Sequence, residues 1–314
     1  MSVLFTFPGQ GAQTPGMLHA LPQHPAVATT LVEASTVLGR DVMALDSAEA
    51  LRSTTAVQLA LLVAGVAAAR RLAAEGALPD MLLGLSIGAY PAAVMAGVLE
   101  FADAVRLVEL RGQLMEQAYP DGYGMTAIMG LPAHQLEPIL DRLRGQGHAV
   151  YLANLNSETQ MVVAGSEAAM ALAVQRAVDA GALTSRRVRI SVPSHCPLLD
   201  APAQRLGEAF KKITLRPPQR LLLSASAARA LWEPARIAED LATNMARQVR
   251  WYEAAGLAYA RGARLAVEMP PGNVLTGLVA PIMAGEGIAL SFVGNRLDTL
   301  RVLITREHAS DCGG

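Results

Sequence analysis

The stretch that most constrains the chain is residues 81–95, MLLGLSIGAYPAAVM. A short apolar run leads into Gly84-Leu85-Ser86-Ile87-Gly88, and a helical pattern follows at once. Strand, Gly-x-Ser-x-Gly and helix in that order is the pattern of a nucleophile elbow, and it points to an α/β chain. Small flanking residues let the backbone turn tightly and leave the serine hydroxyl exposed. The N–H groups opening the next helix can stabilise a developing oxyanion. Pro91 is tolerable there, because first-turn N–H groups lack intrahelical partners. The plainer reading is a tight turn whose serine caps a helix.

The rest of the chain can build a large core around such a turn. It has 314 residues, 52% hydrophobic and only 17% charged, against about 25% charged in typical soluble proteins. Aromatic residues make up 4%, so Ala, Leu, Val and Met must fill the interior. The net charge of −1 gives no global reason to expect nucleic acid or an anionic membrane as partner. Cys196 and Cys312 are the two cysteines, without Cys-x-x-Cys spacing, and a reduced, cytoplasmic setting is expected. The start, MSVLFTFPGQG, lacks the features of a signal peptide. The most apolar run, Val57–Ala69, contains Gln58 and ends at Arg70-Arg71. It is shorter than the roughly 20 residues that span a bilayer as a helix, so a buried core helix is expected.

Along the chain, VLFTF reads as a buried strand. Ser53 or Thr54 caps a helix to about Ala74, and Asp103 caps another over Phe101–Gln117. Beyond YPDGYG the pattern becomes β-α-β-β-α-β, ending with the strand SRRVRISV. That order predicts a ferredoxin-like unit at about 125–191, inserted between 1–124 and 192–314. Helices are expected at Leu199–Lys211, Glu233–Met245 and Tyr252–Ala260, and strands at Leu221–Ala225, Ala263–Glu268 and Ile288–Val293. The terminal HASDCGG is expected to fray.

A nucleophilic serine needs a base, because its hydroxyl is hardly ionised at neutral pH. Among His19, His24, His134, His148, His195 and His308, only His195 follows a strand at a proline turn, in SVPSHCPLL. Alone it reads as a structural histidine. However, FPGQGAQTPGM at 7–17, GLSIGAYPAAVMAGVL at 84–99, RLVELRGQLM at 106–115, SVPSHCPLL at 191–199 and EMPPGNVLTGL at 268–278 occur in an order that resembles the malonyl-CoA:acyl-carrier-protein transacylases. The resemblance spans nearly the whole chain. It implies an α/β-hydrolase-like large domain with a parallel sheet core and an inserted ferredoxin-like domain.

The resemblance also implies roles. Ser86 carries the acyl group and His195 is the general base. The backbone N–H groups of Gln10 and Ile87 form the oxyanion hole, and Arg111 pairs with the malonyl carboxylate. Asn244 falls where the family has glutamine, whose main chain orients the histidine. Malonyl-CoA is then the substrate and the prosthetic-group thiol of an acyl carrier protein the acceptor, with no permanently bound cofactor or metal. The chemistry is consistent, since a thioester attack needs preorganised oxyanion donors and an arginine fork binds a carboxylate in two places.

Two departures point further. The family pattern is Gly-His-Ser-x-Gly-Glu, whereas this chain has Leu85 and Ala89. The entrance beside Ser86 should be more apolar. GLSIGAYPAA resembles the epsilon subunit of bacterial malonate decarboxylase, which implies a dedicated carrier subunit as acceptor and other decarboxylase subunits as partners. The alternatives are the transacylase of fatty-acid synthesis, a serine esterase or thioesterase using Asp103, Asp121, Asp141 or Glu158, and a non-catalytic carrier-binding subunit. Cys196 beside His195 reads as a buried thiol. Arg186, Arg187 and Arg189 read as a solvated strand face or a contact for phosphates or an acidic carrier. Asn154, Asn156 and Ser157 resemble a family block near the histidine, with loop hydrogen bonding as the plainer reading.

Overall fold

The computed structural model describes residues 2–311. The first half contains β1 (Ser2–Phe7), α1 (Pro25–Leu38), α2 (Thr54–Ala73), β2 (Met81–Gly84), α3 (Ala89–Met95) and α4 (Phe101–Ala118). A second group follows: β3 (Tyr123–Met129), α5 (Ala133–Gly145), β4 (Val150–Leu155), β5 (Gln160–Ser166), α6 (Glu167–Asp179) and β6 (Thr184–Arg187). The chain continues through α7 (Asp200–Phe210), β7 (Leu221–Ser224), β8 (Arg229–Leu231), α8 (Pro234–Thr243) and α9 (Trp251–Ala260). It closes with β9 (Ala263–Glu268), α10 (Val274–Val279), β10 (Ile288–Ser291) and α11 (Leu297–Asp311).

The described residues form a six-stranded sheet in the order β10-β9-β1-β2-β7-β8 and a four-stranded sheet in the order β4-β5-β3-β6. The larger sheet is parallel except for the β7–β8 hairpin. Its central strands β1 and β2 are buried almost throughout, as expected for a parallel sheet covered on both faces. Phe7 pairs with Gly84, so both strands end level. The loops after them, Pro8-Gly9-Gln10 and Leu85-Ser86, therefore open at one sheet edge, where ligands of α/β sheets bind. The smaller sheet is antiparallel throughout. Leu136, Leu140, Met170 and Ala173 of α5 and α6 share a core with Ile128 and Val163 of the strands. Met125, Ala153 and Val162 on its other side pack with Cys196.

α2 runs as expected from its Ser53 cap to Ala73, and its 20 residues are enough by length and composition to cross a membrane. Burial decides its role: the most apolar window is 83% buried, and Ser53 caps it by accepting from Ala56 N–H. Asp103 does not cap α4. The cap residue is Glu100, whose side chain makes no capping bond and pairs with Arg216 instead, while Asp103 binds Arg106 one turn inside. The strand read over SRRVRISV stops at Arg187. Val188 still donates to Met125 O, but Ile190 N–H turns back to Val188 O, and the chain leaves the sheet. Of the terminal HASDCGG, residues 308–311 continue α11 rather than fray; Cys312 to Gly314 lie outside the described residues.

Candidate active site

The elbow is forced by close packing. A Cβ on Gly84 would lie 2.0 Å from the Gly88 carbonyl carbon, and one on Gly88 would lie 2.1 Å from Phe7 O. Backbone atoms cannot yield to that extent, so both positions need glycine. Leu85 N–H donates to Phe7 O at 3.0 Å and ties the turn to β1. Ser86 then takes φ 57°, a left-handed conformation that non-glycine residues seldom hold. Ser86–Gly88 forms a single 3-10 turn before α3, and Ile87 is fully buried. On the neighbouring loop, Gln10 Nε2 donates to Thr54 Oγ1 at 3.3 Å.

His195 also has positive φ, 66°. Its N–H donates to Met245 O at 2.6 Å. Its Nδ1 lies 2.8 Å from Asn244 O and 3.1 Å from Arg247 O. Carbonyl oxygens only accept, so Nδ1 carries the proton and Nε2 keeps its lone pair. Burial, and then the nearby Arg111 charge, push the His195 pKa down to about 4. The imidazole is therefore neutral at pH 7. The acids considered for a hydrolase triad are engaged elsewhere: Asp103 with Arg106, Asp141 with Arg144 and Glu158 with Tyr252. Asp121 is exposed.

Arg111 is fully buried. One terminal nitrogen donates to Gln58 Oε1 at 2.6 Å. The other donates to Ser86 Oγ at 3.2 Å and Asn244 Oδ1 at 3.1 Å. Nε has no partner. The Tyr90 ring lies 6.0 Å from the guanidinium carbon, within cation–π range. Burial pulls the Arg111 pKa down to about 10, so the group stays charged at pH 7. It faces the serine with amide and hydroxyl partners but no carboxylate.

Gln58 escaped the sequence reading. Its signal was there, a glutamine inside the apolar Val57–Ala69 run. Its side chain is 1% exposed, which an amide tolerates only when hydrogen-bonded. For Asn244 the sequence suggested only a main-chain role. Its side chain also acts, with Oδ1 on Arg111 and Nδ2 3.4 Å from Ser86 O.

Ser86, His195 and Gln10 line one cleft of about 600 Å³. Leu85, Val274, Leu275 and Leu278 make one wall apolar, while Met125, Ala127 and Val162 present the four-stranded sheet on the other. Ala89 is not part of the lining. Arg186 and Arg189 line it too, with no aspartate or glutamate among its described lining residues. Asn154 and Asn156 also face it, and each has a buried Oδ1 without a partner. Arg187 instead binds Glu167 and Tyr123 O. The Cys196 thiol points to Pro193 O at 3.2 Å, and burial pushes its pKa up to about 12. It is a packed thiol, not a partner for the neighbouring imidazole.

A strained serine elbow and a neutral histidine on one cleft, with a buried arginine that has no carboxylate partner bonded to the serine from behind the lining, suit acyl transfer. Residues 4–287 match the family described as the acyl transferase domain. The chain is 38% identical to the malonyl CoA-acyl carrier protein transacylase of Salmonella typhimurium, over 89% of this chain and 92% of that one. It is 35% identical to the Bacillus subtilis protein of the same name, over 89% and 90%. The solved transacylase of Coxiella burnetii superposes with TM-score 0.91 at 37% identity, covering 98% of each chain. A malonyl-transacylase solved in complex with a type II PKS acyl-carrier protein gives TM-score 0.89 at 34% identity, covering 98% of this chain and 100% of that one. The chain thus belongs to the malonyl-CoA:acyl-carrier-protein transacylase family of acyltransferase enzymes. The fold is the α/β fold of those structures.

Proposed function

We propose that this enzyme moves a malonyl group from CoA to the thiol of an acyl carrier protein through a malonyl ester on Ser86. The single observation that carries the reading is Arg111, a buried cation without a carboxylate partner, 3.2 Å from Ser86 Oγ. An acyl group bearing its own carboxylate supplies the missing charge.

In this reading Ser86 Oγ attacks the thioester carbonyl as His195 Nε2 takes its proton. The Nδ1–H bonds to Asn244 O and Arg247 O hold the ring in the needed tautomer. The backbone N–H groups of Gln10 and Ile87 receive the oxyanion. The C–S bond breaks, and CoA leaves as a thiol with the proton from His195. The carrier thiol then gives its proton to His195 and attacks the ester, and Ser86 is restored. Ser86 and His195 form no hydrogen bond to each other in the free enzyme; such bonds often tighten only when substrate arrives.

The strand order β4-β5-β3-β6 supports reading residues 125–191 as a ferredoxin-like domain inserted into an α/β-hydrolase-like domain of 1–124 and 192–314. The cleft between them is the route for the carrier arm. The names of the relatives favour an ordinary acyl carrier protein as acceptor, ahead of the malonate decarboxylase carrier that GLSIGAYPAA suggested. Leu85 on the cleft wall and Ala89 keep the decarboxylase carrier, and its companion subunits, as the second reading. A cytoplasmic setting fits both.

Brief exposure to malonyl-CoA should add one malonyl group to the intact protein, and Ser86→Ala should abolish the gain. An unmodified wild-type protein would refute the proposal. Offering both carriers to the malonylated enzyme and following which is loaded decides the acceptor.

A further inference from the structure

Asn244 touches Ser86, His195 and Arg111 at once. Its carbonyl oxygen accepts from His195 Nδ1 at 2.8 Å. Its side-chain Oδ1 accepts from Arg111 at 3.1 Å, and its Nδ2 lies 3.4 Å from Ser86 O. The side chain is 4% exposed overall and sits in the turn after α8. The Arg111 nitrogen it binds is the one that also donates to Ser86 Oγ. Its two hydrogens are therefore divided between the nucleophile and the amide, while Gln58 holds the other terminal nitrogen. The guanidinium is fixed at two ends, and its Nε–H remains buried and unpartnered.

We propose that the Asn244 side chain is a positioning residue that sets acyl selectivity, by fixing the Arg111 fork so that a carboxylate on the acyl group meets it while the carbonyl sits at Ser86. This rests on the acyl-transfer reading above. An amide suits the task because it accepts from arginine without neutralising it. A carboxylate of the same shape would take the place of the substrate's. Alanine would leave the fork held only by Gln58 and the Ser86 hydroxyl, free to pivot once that hydroxyl is engaged by substrate. None of these changes removes the main-chain carbonyl that holds His195, so the side chain can be tested apart from the base.

The test compares malonyl-CoA and acetyl-CoA as acyl donors for wild type, Asn244→Ala, Asn244→Asp and Asn244→Gln, with thermal melting as a check on folding. Asn244→Ala should lower the malonyl-to-acetyl ratio of kcat/KM by about tenfold, chiefly through KM for malonyl-CoA. Asn244→Asp, nearly isosteric, should lower it by about a hundredfold or more, and Asn244→Gln should recover part of the ratio. In a Ser86→Ala background, calorimetry should show malonyl-CoA binding weakened by Asn244→Asp and acetyl-CoA binding little changed. An unaltered ratio in both the Ala and Asp variants would overturn the inference, as would equal binding of the two CoA esters before Asn244 is changed. A wild type that prefers malonyl-CoA in binding but gains no ester on Ser86 would instead fault acyl transfer and leave the role of Asn244 standing.

Discussion

Replacing Arg111 by methionine tests whether the site reads a carboxylate. Methionine is unbranched and apolar and fills much of the vacated space. Truncating one partner of a buried, hydrogen-bonded charge pair costs about 2–5 kcal/mol. At about 1.4 kcal/mol per tenfold, kcat/KM for malonyl-CoA should fall roughly 30- to 4,000-fold. Acetyl-CoA brings no carboxylate and loses only the Arg111 bond to Ser86 Oγ, so its rate should change by less than about tenfold. Two costs to folding act in opposite directions. Gln58 Oε1 and Asn244 Oδ1 lose their donor, at about 1–3 kcal/mol each, while the burden of a buried unpaired charge disappears. The variant should therefore fold, as a melting curve would verify. The His195 pKa should rise from about 4 but stay below 6.5, because burial, the larger cause, remains. The assay is initial rate for both CoA esters across pH 4–8. Equal losses for malonyl and acetyl, with an unmoved acid limb, would refute the reasoning.

Four further outcomes are expected. The acid limb of wild-type kcat/KM should lie near pH 4, and a limb near 6.5 would mean that His195 is not buried as described. The unfolded chain protonates this histidine below about pH 6.5 and the folded one only below about 4. Stability is thus full above 6.5 and falls by about 3 kcal/mol on acidification through that window; His195→Gln should lack this slope in urea midpoints. Gly88→Ala should destabilise by about 2–4 kcal/mol, because its Cβ would meet Phe7 O at 2.1 Å; an unchanged Tm would show that the elbow can relax. Gln58→Leu should weaken malonyl-CoA use about tenfold by freeing one end of Arg111, and no change in KM would show that Asn244 suffices.

The parts of this site written as contiguous motifs were open to reading, and those made by tertiary contact were not. Gly84 and Gly88 announced a turn, and the structure explains why in terms of Gly88 C and Phe7 O. The glycines alone could not say which histidine faces Ser86, since His195 arrives from more than a hundred residues away; the resemblance supplied that pairing. Without the resemblance Arg111 could not be placed, because sequence periodicity does not show that α4 turns that face toward α2 and Ser86. Gln58 was visible as a polar break in an apolar run, but its partner was not. In the fold, strongly apolar strands such as β1 and β2 stood out. α1, with its run of β-branched residues, and the three-residue β8 had too weak a pattern to be picked out. The end of β6 at Arg187 depends on a backbone turn at Ile190 that no residue type enforces.

On the proposed reading, the absence of a carboxylate behind His195 follows from the need to recognise an anion. In a serine hydrolase an acidic side chain orients the imidazole and stabilises its protonated form. Here the acceptors for Nδ1 are Asn244 O and Arg247 O, and Asn244 also binds Arg111. An acid at that junction would lie within reach of both groups. It would pair with the buried guanidinium, and the strength of a desolvated pair would make the malonyl carboxylate a poor competitor. Neutral carbonyls orient the ring equally well and leave the arginine unneutralised. The penalty is a base held near pKa 4, which accepts a proton reluctantly. If the substrate carboxylate pairs with Arg111 as proposed, it offsets that penalty by cancelling the Arg111 field that helps depress His195. Malonyl should thereby strengthen the base that activates the serine, an aid acetyl cannot give. Measured with wild type, the acid limb for malonyl-CoA should lie higher in kcat than in kcat/KM, since kcat reports the loaded site. Acetyl-CoA should show no such separation, and identical limbs for both substrates would contradict the argument.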